Sequence, residues 1–513
     1  MGSDSPDSLD YAGDFNLNAI ILQSHQGDGY DSASKKRVAG GVNILSLVTE
    51  LNIYESIDKA SVTGSLVVTD AQNLIGNLPI QGTERIMFKL STPGTHKPEH
   101  IIDASELTGH PFYVYKISDR REIKSGTLLY IIHFGSREFM RNLRVKVSKA
   151  YSGKIDLIVR KILSDKDGLD TRKKIYFQPT RNSDKIVIPN LPPFQAVSLL
   201  TRRALPENSE ASGYYFYETT KGYNFRSWES MCAHYGRIQR DPVQKFHYSK
   251  RNMTNDTITD NKNTEKMDTS DQRLFEQQSV ESYRIVNNFH DTAANTALGT
   301  YGHRVITHNL FSKSYTTNDY HYHNQYARTV HTDFHQNESS DKKFVVVDTP
   351  VDFDQRGVSD YPESRVSLVP TTQFLHNEET GNYGVDVSQD GVLDGIRIAQ
   401  RNQIIASTTI ELTVKGQTYI QPGDVVLFDL RPVEKDGITA GRKPYDPQYS
   451  GRYIVCSIRH KVNAETYKMI MVIKKDSVRE PFLKGEPVFQ GEPLREHPEF
   501  ETVGSRNQPP GRG

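Results

Sequence analysis

IQGTERIMFKL at residues 80–90 and IQPGDVVLFDL at residues 420–430 overlay without a gap. Ile, Gln, Phe and Leu recur in place, and acidic Glu84 matches Asp424. Each segment reads as a turn opening an apolar strand, with Gly82 in the first turn and Pro422-Gly423 in the second. Pro at i+1 followed by Gly at i+2 is the chemistry of a type II turn. The match continues outward: FYVYKIS begins at Phe112 and RYIVCSI at Arg452, each 32 residues after its opening Ile. A short polar turn then leads to LLYIIHFGS, ending at Ser136, and to MIMVIKKDS, ending at Ser477. Turn-strand, gap, strand, tight turn and strand recur in one order over about 57 residues, which predicts two copies of one β-domain in this chain.

The N-terminal runs FNLNAIILQ, VNILSLVTELNIYES, ASVTGSLVVTD and RIMFKLS alternate β-branched with polar residues, the pattern of a half-buried antiparallel sheet. The period changes in KIDLIVRKILSD (154–165), where Ile155, Ile158, Val159 and Ile162 share one helical face. LPPFQAVSLLTRRAL (191–205) reads as a second helix with prolines in its first turn, and GYYFYETTKGYNFRS as an aromatic hairpin. A further helix is expected around GVLDGIRIAQRN (391–402). KRNMTNDTITDNKNTEKMDTSD (250–271) has too few apolar residues for a core and reads as a loop. The expected fold class is mainly β with some α (α+β), in the following order. Residues 1–14 form an arm and 15–150 a first β-domain. Residues 151–274 and 311–404 form a middle α+β domain, 275–310 and 405–477 a second β-domain, and 478–513 an extended Pro-rich tail.

Lys plus Arg (63) equals Asp plus Glu (63), so no overall field draws the chain to nucleic acid. The basic run SREFMRNLRVKVSK (136–149) is interleaved with Phe139, Leu143, Val145 and Val147 and reads as a solvated helix or strand face. Cys232 and Cys456 are too few for a disulfide framework and suit ordinary thiols in a reducing compartment. No run approaches the ~18 apolar residues of a membrane span, and the first residues lack a signal-peptide pattern, so synthesis and folding in the cytosol are expected.

Two stretches raise the question of a metal. DYHYHNQYARTVHTDFH (319–335) would put His321 and His323 on one strand face, with His331 and His335 nearby. The same segment is rich in Tyr, Thr and Asn and reads equally as a polar strand at a surface or subunit contact. DFDQRGVSDYPE spaces Asp352, Asp354, Asp360 and Glu363 around Gly357 as in a calcium loop. Arg356 stands there where an oxygen ligand belongs, and the flanks are not helical. MCAHYG gives Cys232 no framed acid beside His234, and Trp228 reads as packing. No P-loop, GxSxG elbow or HExxH helix occurs. Neither a catalytic residue nor a cofactor is expected.

Three segments together resemble the baseplate central hub protein of contractile-tailed bacteriophages, a family also similar to the hub portion of contractile-secretion spikes. They are SLVTELNIYESIDKASVTGSLVVTDAQNLIGNLPIQGTERIMFKL, then LPPFQAVSLLTRRAL with YYFYETTKGYNF, then IQPGDVVLFDL with YIVCSIRHKVNAETYKMIMVI, and they span roughly residues 14–477. The resemblance implies two tail-tube-like antiparallel β-barrel domains flanking a middle domain. It implies a homotrimer whose six similar units form a pseudo-six-fold ring with a DNA channel, joining the tail tube protein to the central spike protein. Tape-measure and baseplate wedge proteins are further implied partners, and the implied location is the virion tail. Carried over residue by residue, only scaffold positions match: the turns at Gly82, Pro422 and Gly423, and Leu191, Pro192, Pro193 and Phe194 at the middle-domain helix. Two alternatives stand beside it: a tail-borne or secreted metal-dependent hydrolase using His321 and His323, and the hub of a phage-derived contractile secretion apparatus.

Overall fold

The computed structural model describes residues 11–479 except 24–28, 32–35, 39–40, 78–79, 95–96, 98–99, 125, 182, 208–212, 235–237, 249–268, 310–312, 334–353, 372–386 and 432–444. Most of the expected arm, most of the 250–271 loop and the tail beyond 479 therefore lie outside the described residues, as do His335 and Asp352.

Eight strands carry the fold: β1 (Val48–Ser56), β2 (Thr63–Asp70), β3 (Phe112–Lys124), β4 (Thr127–Ser136), β5 (Val280–Asn287), β6 (Thr408–Lys415), β7 (Gly451–Asn463) and β8 (Tyr467–Lys475). They pair antiparallel in the order β5-β6-β8-β7-β1-β2-β4-β3, and the protein is mainly β with several antiparallel sheets. The alternation read in the sequence is the reason: in β8, Tyr467, Met469, Met471 and Ile473 are buried while Lys468, Ile470, Val472 and Lys474 are half-buried. Leu51, Ile53, Leu66 and Phe134 from one half share a single core with Leu412, Ile458 and Met471 from the other.

The strand order is one motif used twice, β1-β2-β4-β3 and then β5-β6-β8-β7. Its irregularities repeat as well. β1 slips on β2 between Val48 and Glu50, and β5 slips on β6 between Val280 and Ser282. β3 bulges at Tyr115 and β7 at Cys456. A short strand leads each copy in, Arg85–Leu90 against Phe112 and Tyr113, and Val425–Leu430 against Gly451–Ile454. Its entering turn is tied down by an acid in both copies. Glu84 accepts the Gln81 and Gly82 N–H groups at 2.6 and 2.8 Å, and Asp424 accepts that of Gln421 at 2.9 Å. Gly82 and Gly423 have φ of 90° and 89°, and the Asp424 N–H donates to Gln421 O at 3.1 Å across Pro422-Gly423, which is type II geometry.

The ladders also correct two alignments. Counted from the bulges at Tyr115 and Cys456, Val114 corresponds to Val455, one residue on from the overlay of Phe112 on Arg452. Since Phe134 faces Val114 and Ile473 faces Val455, Phe134 corresponds to Ile473 and not to Lys475. A shift of two leaves every side chain on its own face, so the apolar pattern is blind to it.

The middle of the chain builds a separate core. Ile155, Ile158, Val159 and Ile162 of the helix Ile155–Ser164 pack on Ala196, Val197 and Leu200 of the helix Pro193–Thr201 and on the aromatic hairpin Tyr214–Thr219 with Gly222–Ser227. A three-stranded sheet places Gly302–Asn309 between Ser314–His321 and Val366–Thr371. A boundary at residue 310 would thus cut a hairpin. Gln244–Tyr248 likewise leaves the middle region to lie parallel on Val425–Leu430. Boundaries read along the chain do not register pairings that jump across it.

Candidate assembly interface

The two copies of the motif are fused by one ladder. Ser457–Asn463 of β7 runs antiparallel to Glu50–Ser56 of β1, in unbroken register from Ser457 opposite Ser56 to Asn463 opposite Glu50. β7 reaches this position by changing partner at its bulge: Gly451–Ile454 pairs with Val425–Phe428, and beyond Cys456 it pairs with β1. The Ile57 N–H extends the joint by donating to Cys456 O at 2.9 Å.

Charge is managed on both faces of the joint. On the open face Arg459 and Lys461 lie 3.3 and 3.1 Å from Glu50. Burial alone would raise the Glu50 pKa, but Asn52 and Lys461 outweigh it and hold the carboxyl below its ordinary value. On the core face Glu55, opposite Ile458, accepts the Thr220 N–H at 3.0 Å, and burial pushes its pKa up to about 7. His460, opposite Ile53, meets the Tyr467 hydroxyl at 2.7 Å, and burial pushes it down to about 3.

Among the described residues, each half of this joint exists a second time with no strand laid against it. β3 stands in the first copy where β7 stands in the second, and it too leaves its short partner after Tyr113 and bulges at Tyr115. No described strand covers the outer side of Lys116–Lys124. β5 stands in the second copy where β1 stands in the first. Its outer side is likewise uncovered by any described strand, apart from a single bridge between His247 and Ser279 just before it. Ile123 (52% exposed), Ile285 (38%) and Val286 (54%) lie on these two edges. Open edges carrying exposed β-branched side chains are templates for another strand. Across the open face near β5, Arg284 pairs with Glu411 at 3.0 Å, and Glu281 with Lys415 and Lys468 at 2.8 and 2.7 Å. A cavity of about 430 Å³ opens beside the start of β3, between Tyr113, Val114, Arg137, Met140, Arg141 and Arg144. Two of its arginines are already engaged, Arg137 with Asp170 at 2.9 Å and Arg141 with the Gly168 and Lys166 carbonyls.

The metal candidates are engaged elsewhere. β-structure ends at His321, and His323 lies in the helical turn Tyr322–Gln325, so the two imidazoles do not share a strand face. His321 Nδ1 meets Ser359 O at 2.9 Å and His323 Nδ1 meets Ser359 Oγ at 2.6 Å, so both pin the 357–361 loop. His331 is buried, 3.0 Å from Asp476 and 3.0 Å from Tyr326 O, and stacks on the Tyr326 ring at 3.7 Å. In the acidic loop Asp360 accepts the Gly357 N–H at 2.8 Å, Glu363 lies 3.3 Å from Arg304, and Asp354 is exposed. Among the described residues no three His, Cys, Asp or Glu side chains are grouped to hold a metal ion. Cys232 and Cys456 are buried, and burial raises both thiol pKa values, that of Cys456 to about 12. Trp228 is fully buried beside Met231 and Ile454.

No protein-family model matches the chain. The solved tail protein of Neisseria meningitidis MC58 has a TM-score of 0.46 and 10% identity, over 89% of this chain and 96% of that one. The 43 kDa tail protein of prophage MuSo2 from Shewanella oneidensis has a TM-score of 0.46 and 10% identity, over 90% of this chain and 100% of that one. In sequence the chain is similar to the "Probable baseplate hub protein gp334" of Vibrio phage KVP40, at 20% identity over 436 residues, 84% of this chain and 90% of that protein.

Proposed function

We propose that this chain is a structural protein of a phage tail, the central hub of its baseplate. The observation that carries the reading is the repeated four-strand motif, fused by β7 on β1, with the two complementary edges left open at the ends. A head-to-tail contact between such ends is heterologous and closes into a ring when the rotation allows. With three chains, six motifs alternate around the ring, and three-fold symmetry imitates six-fold symmetry. The similarity to a probable baseplate hub protein supports the tail reading, and the count of three chains rests on what the resemblance in the sequence implies. In this reading residues 15–150 form one tube-like unit, Val280–Asn287 with 405–477 form the other, and the middle region flanks them. The open sheet face lines a channel for DNA.

The role is geometric and non-enzymatic. The ring seats the tail tube protein on one side and the central spike protein on the other, within reach of tape-measure and wedge proteins. The protein is made in the host cytoplasm and resides in the virion. No helix among the described residues is long and apolar enough to cross a membrane. The test is the mass in solution and the electron-microscopic class averages of the full chain, alone and co-expressed with its spike. A closed three-chain particle with near-six-fold averages is expected; a monomer under both conditions overturns the reading.

A further inference from the structure

We infer that a second copy of this chain docks its β5 on β3 antiparallel, in one defined register: Ser118 opposite Asn287, Arg121 opposite Arg284 and Glu122 opposite Tyr283. The inference rests on the ring reading and adds the surface and its register, which the internal joint supplies.

The ladders inside each copy say which residue replaces which. On the β3 side, Ser118 faces Ile131 and Arg121 faces Leu129, where β7 has Arg459 facing Ile470 and Lys461 facing Lys468. Ser118 therefore takes the place of Arg459 and Arg121 that of Lys461. Two residues, Asp119 and Arg120, stand where β7 has His460 alone, and Asp119 adopts a φ of 55° to absorb the insertion. On the β5 side, Ile285 faces Ile410 and Asn287 faces Thr409, where β1 has the adjacent Ile53 and Tyr54 facing Gly64 and Thr63. Val286 is the insertion here, so Asn287 takes the place of Tyr54 and Arg284 that of Asn52.

In the internal joint Arg459 faces Tyr54 and Lys461 faces Asn52. Transfer gives Ser118 opposite Asn287 and Arg121 opposite Arg284. Between these pairs lie Asp119 and Arg120 on one edge, and Ile285 and Val286 on the other. The two insertions fall at the same level and cancel. Either one alone would throw the side chains beyond it onto the wrong face of the new ladder. Neither is needed by the other copy of its own strand, since β7 and β1 lack them.

The charges agree with this register. Asp119 lies diagonal to Arg284. The one like-charge pair, Arg121 opposite Arg284, has Glu411 within 3.0 Å of Arg284. Just past the ladder, the His290 N–H, which donates to Asn288 Oδ1 at 3.4 Å in the single chain, stands in the place of the Ile57 N–H.

The test is a disulfide between Arg121→Cys and Arg284→Cys. Both positions are exposed, and the native Cys232 and Cys456 are buried. Opposed Cβ atoms lie ~5 Å apart across an antiparallel ladder, close to the ~4 Å of a disulfide. Oxidising the assembled particle should give a covalent three-chain band, and Arg121→Cys with Ile285→Cys, one residue out of register, about tenfold less. A particle that cross-links equally or better at Ile285 overturns the register and leaves the hub reading standing. A chain that forms no particle overturns the hub reading itself. A variant that needs no cross-link adds a second check: Arg121→Glu turns the like-charge pair into an ion pair and should tighten assembly about twofold to fivefold. Weaker assembly would contradict the pairing.

Discussion

Glu55 is a carboxyl held at the seam between the two motifs, buried and pushed up to about 7. The folded chain keeps a proton there that the unfolded chain has released, so this group destabilises the fold as pH rises from the ordinary carboxylate range through 7. Glu55→Gln removes the titration. It is expected to be more stable than the parent at pH 8 by roughly 2–3 kcal/mol, because each tenfold gain in proton affinity on folding is worth about 1.4 kcal/mol, and nearly equal to it at pH 4. Urea midpoints at the two pH values check this; a less stable variant at pH 8 would contradict it. Single residues were legible in the sequence only where their partners lie close in the chain, as Glu84 and Asp424 do to their turns. Lys173 gave no such signal. It is buried between Glu138, at 3.2 Å, and Glu218, whose carboxylate also accepts the Val62 N–H and the Ser136 hydroxyl at 2.8 and 2.7 Å. Burial opposes the Lys173 charge, but the two carboxylates outweigh it and raise its pKa. His321 and His323 are the converse case. Their spacing suggested a metal, and their partner, Ser359, is 36 or more residues away in a loop that nothing in the histidine segment announces.

Strands were legible because alternation survives any partner; bulges and registers were not, because they depend on the neighbouring strand. The two-residue slip at the end of the repeat hid a compensating exchange. Gly64 faces Phe134 in the first copy, and their counterparts Ile410 and Ile473 face each other in the second. A Cβ on Gly64 would meet the Phe134 ring at 2.2 Å and Asn52 O at 2.5 Å, so the glycine is where the phenylalanine finds its space. Gly64→Ile is expected to cost at least about 1–3 kcal/mol by overpacking. Adding Phe134→Ile, which recreates the pair of the second copy, should recover a measurable part of that loss. Thermal or urea unfolding of the two single variants and the double variant gives the coupling. Strict additivity would mean that Asn52 O, and not the Phe134 ring, sets the limit at Gly64.

At the scale of the molecule the sequence showed that a unit recurs but not how its copies meet, since Glu50–Ser56 and Ser457–Asn463 lie at opposite ends of the chain. The proposed ring contains two kinds of joint. One, β7 on β1, is intramolecular, is formed whenever the chain is folded, and is tied across by the ion pairs of Glu50 with Arg459 and Lys461. The other, the proposed β3 on β5, would form only between chains. Backbone amides exchange through local opening, so the two joints are distinguishable by hydrogen exchange with and without assembly. In unassembled chains, amides of Glu50–Ser56 and Ser457–Asn463 should already be protected, and those of Lys116–Lys124 and Val280–Asn287 should exchange fast on their outward-facing positions. On assembly the second pair should slow by at least about tenfold while the first pair changes little. Equal slowing at all four segments would mean that the chain's own joint opens before the ring closes. In that case the internal ladder is not the preformed template from which the ring is built.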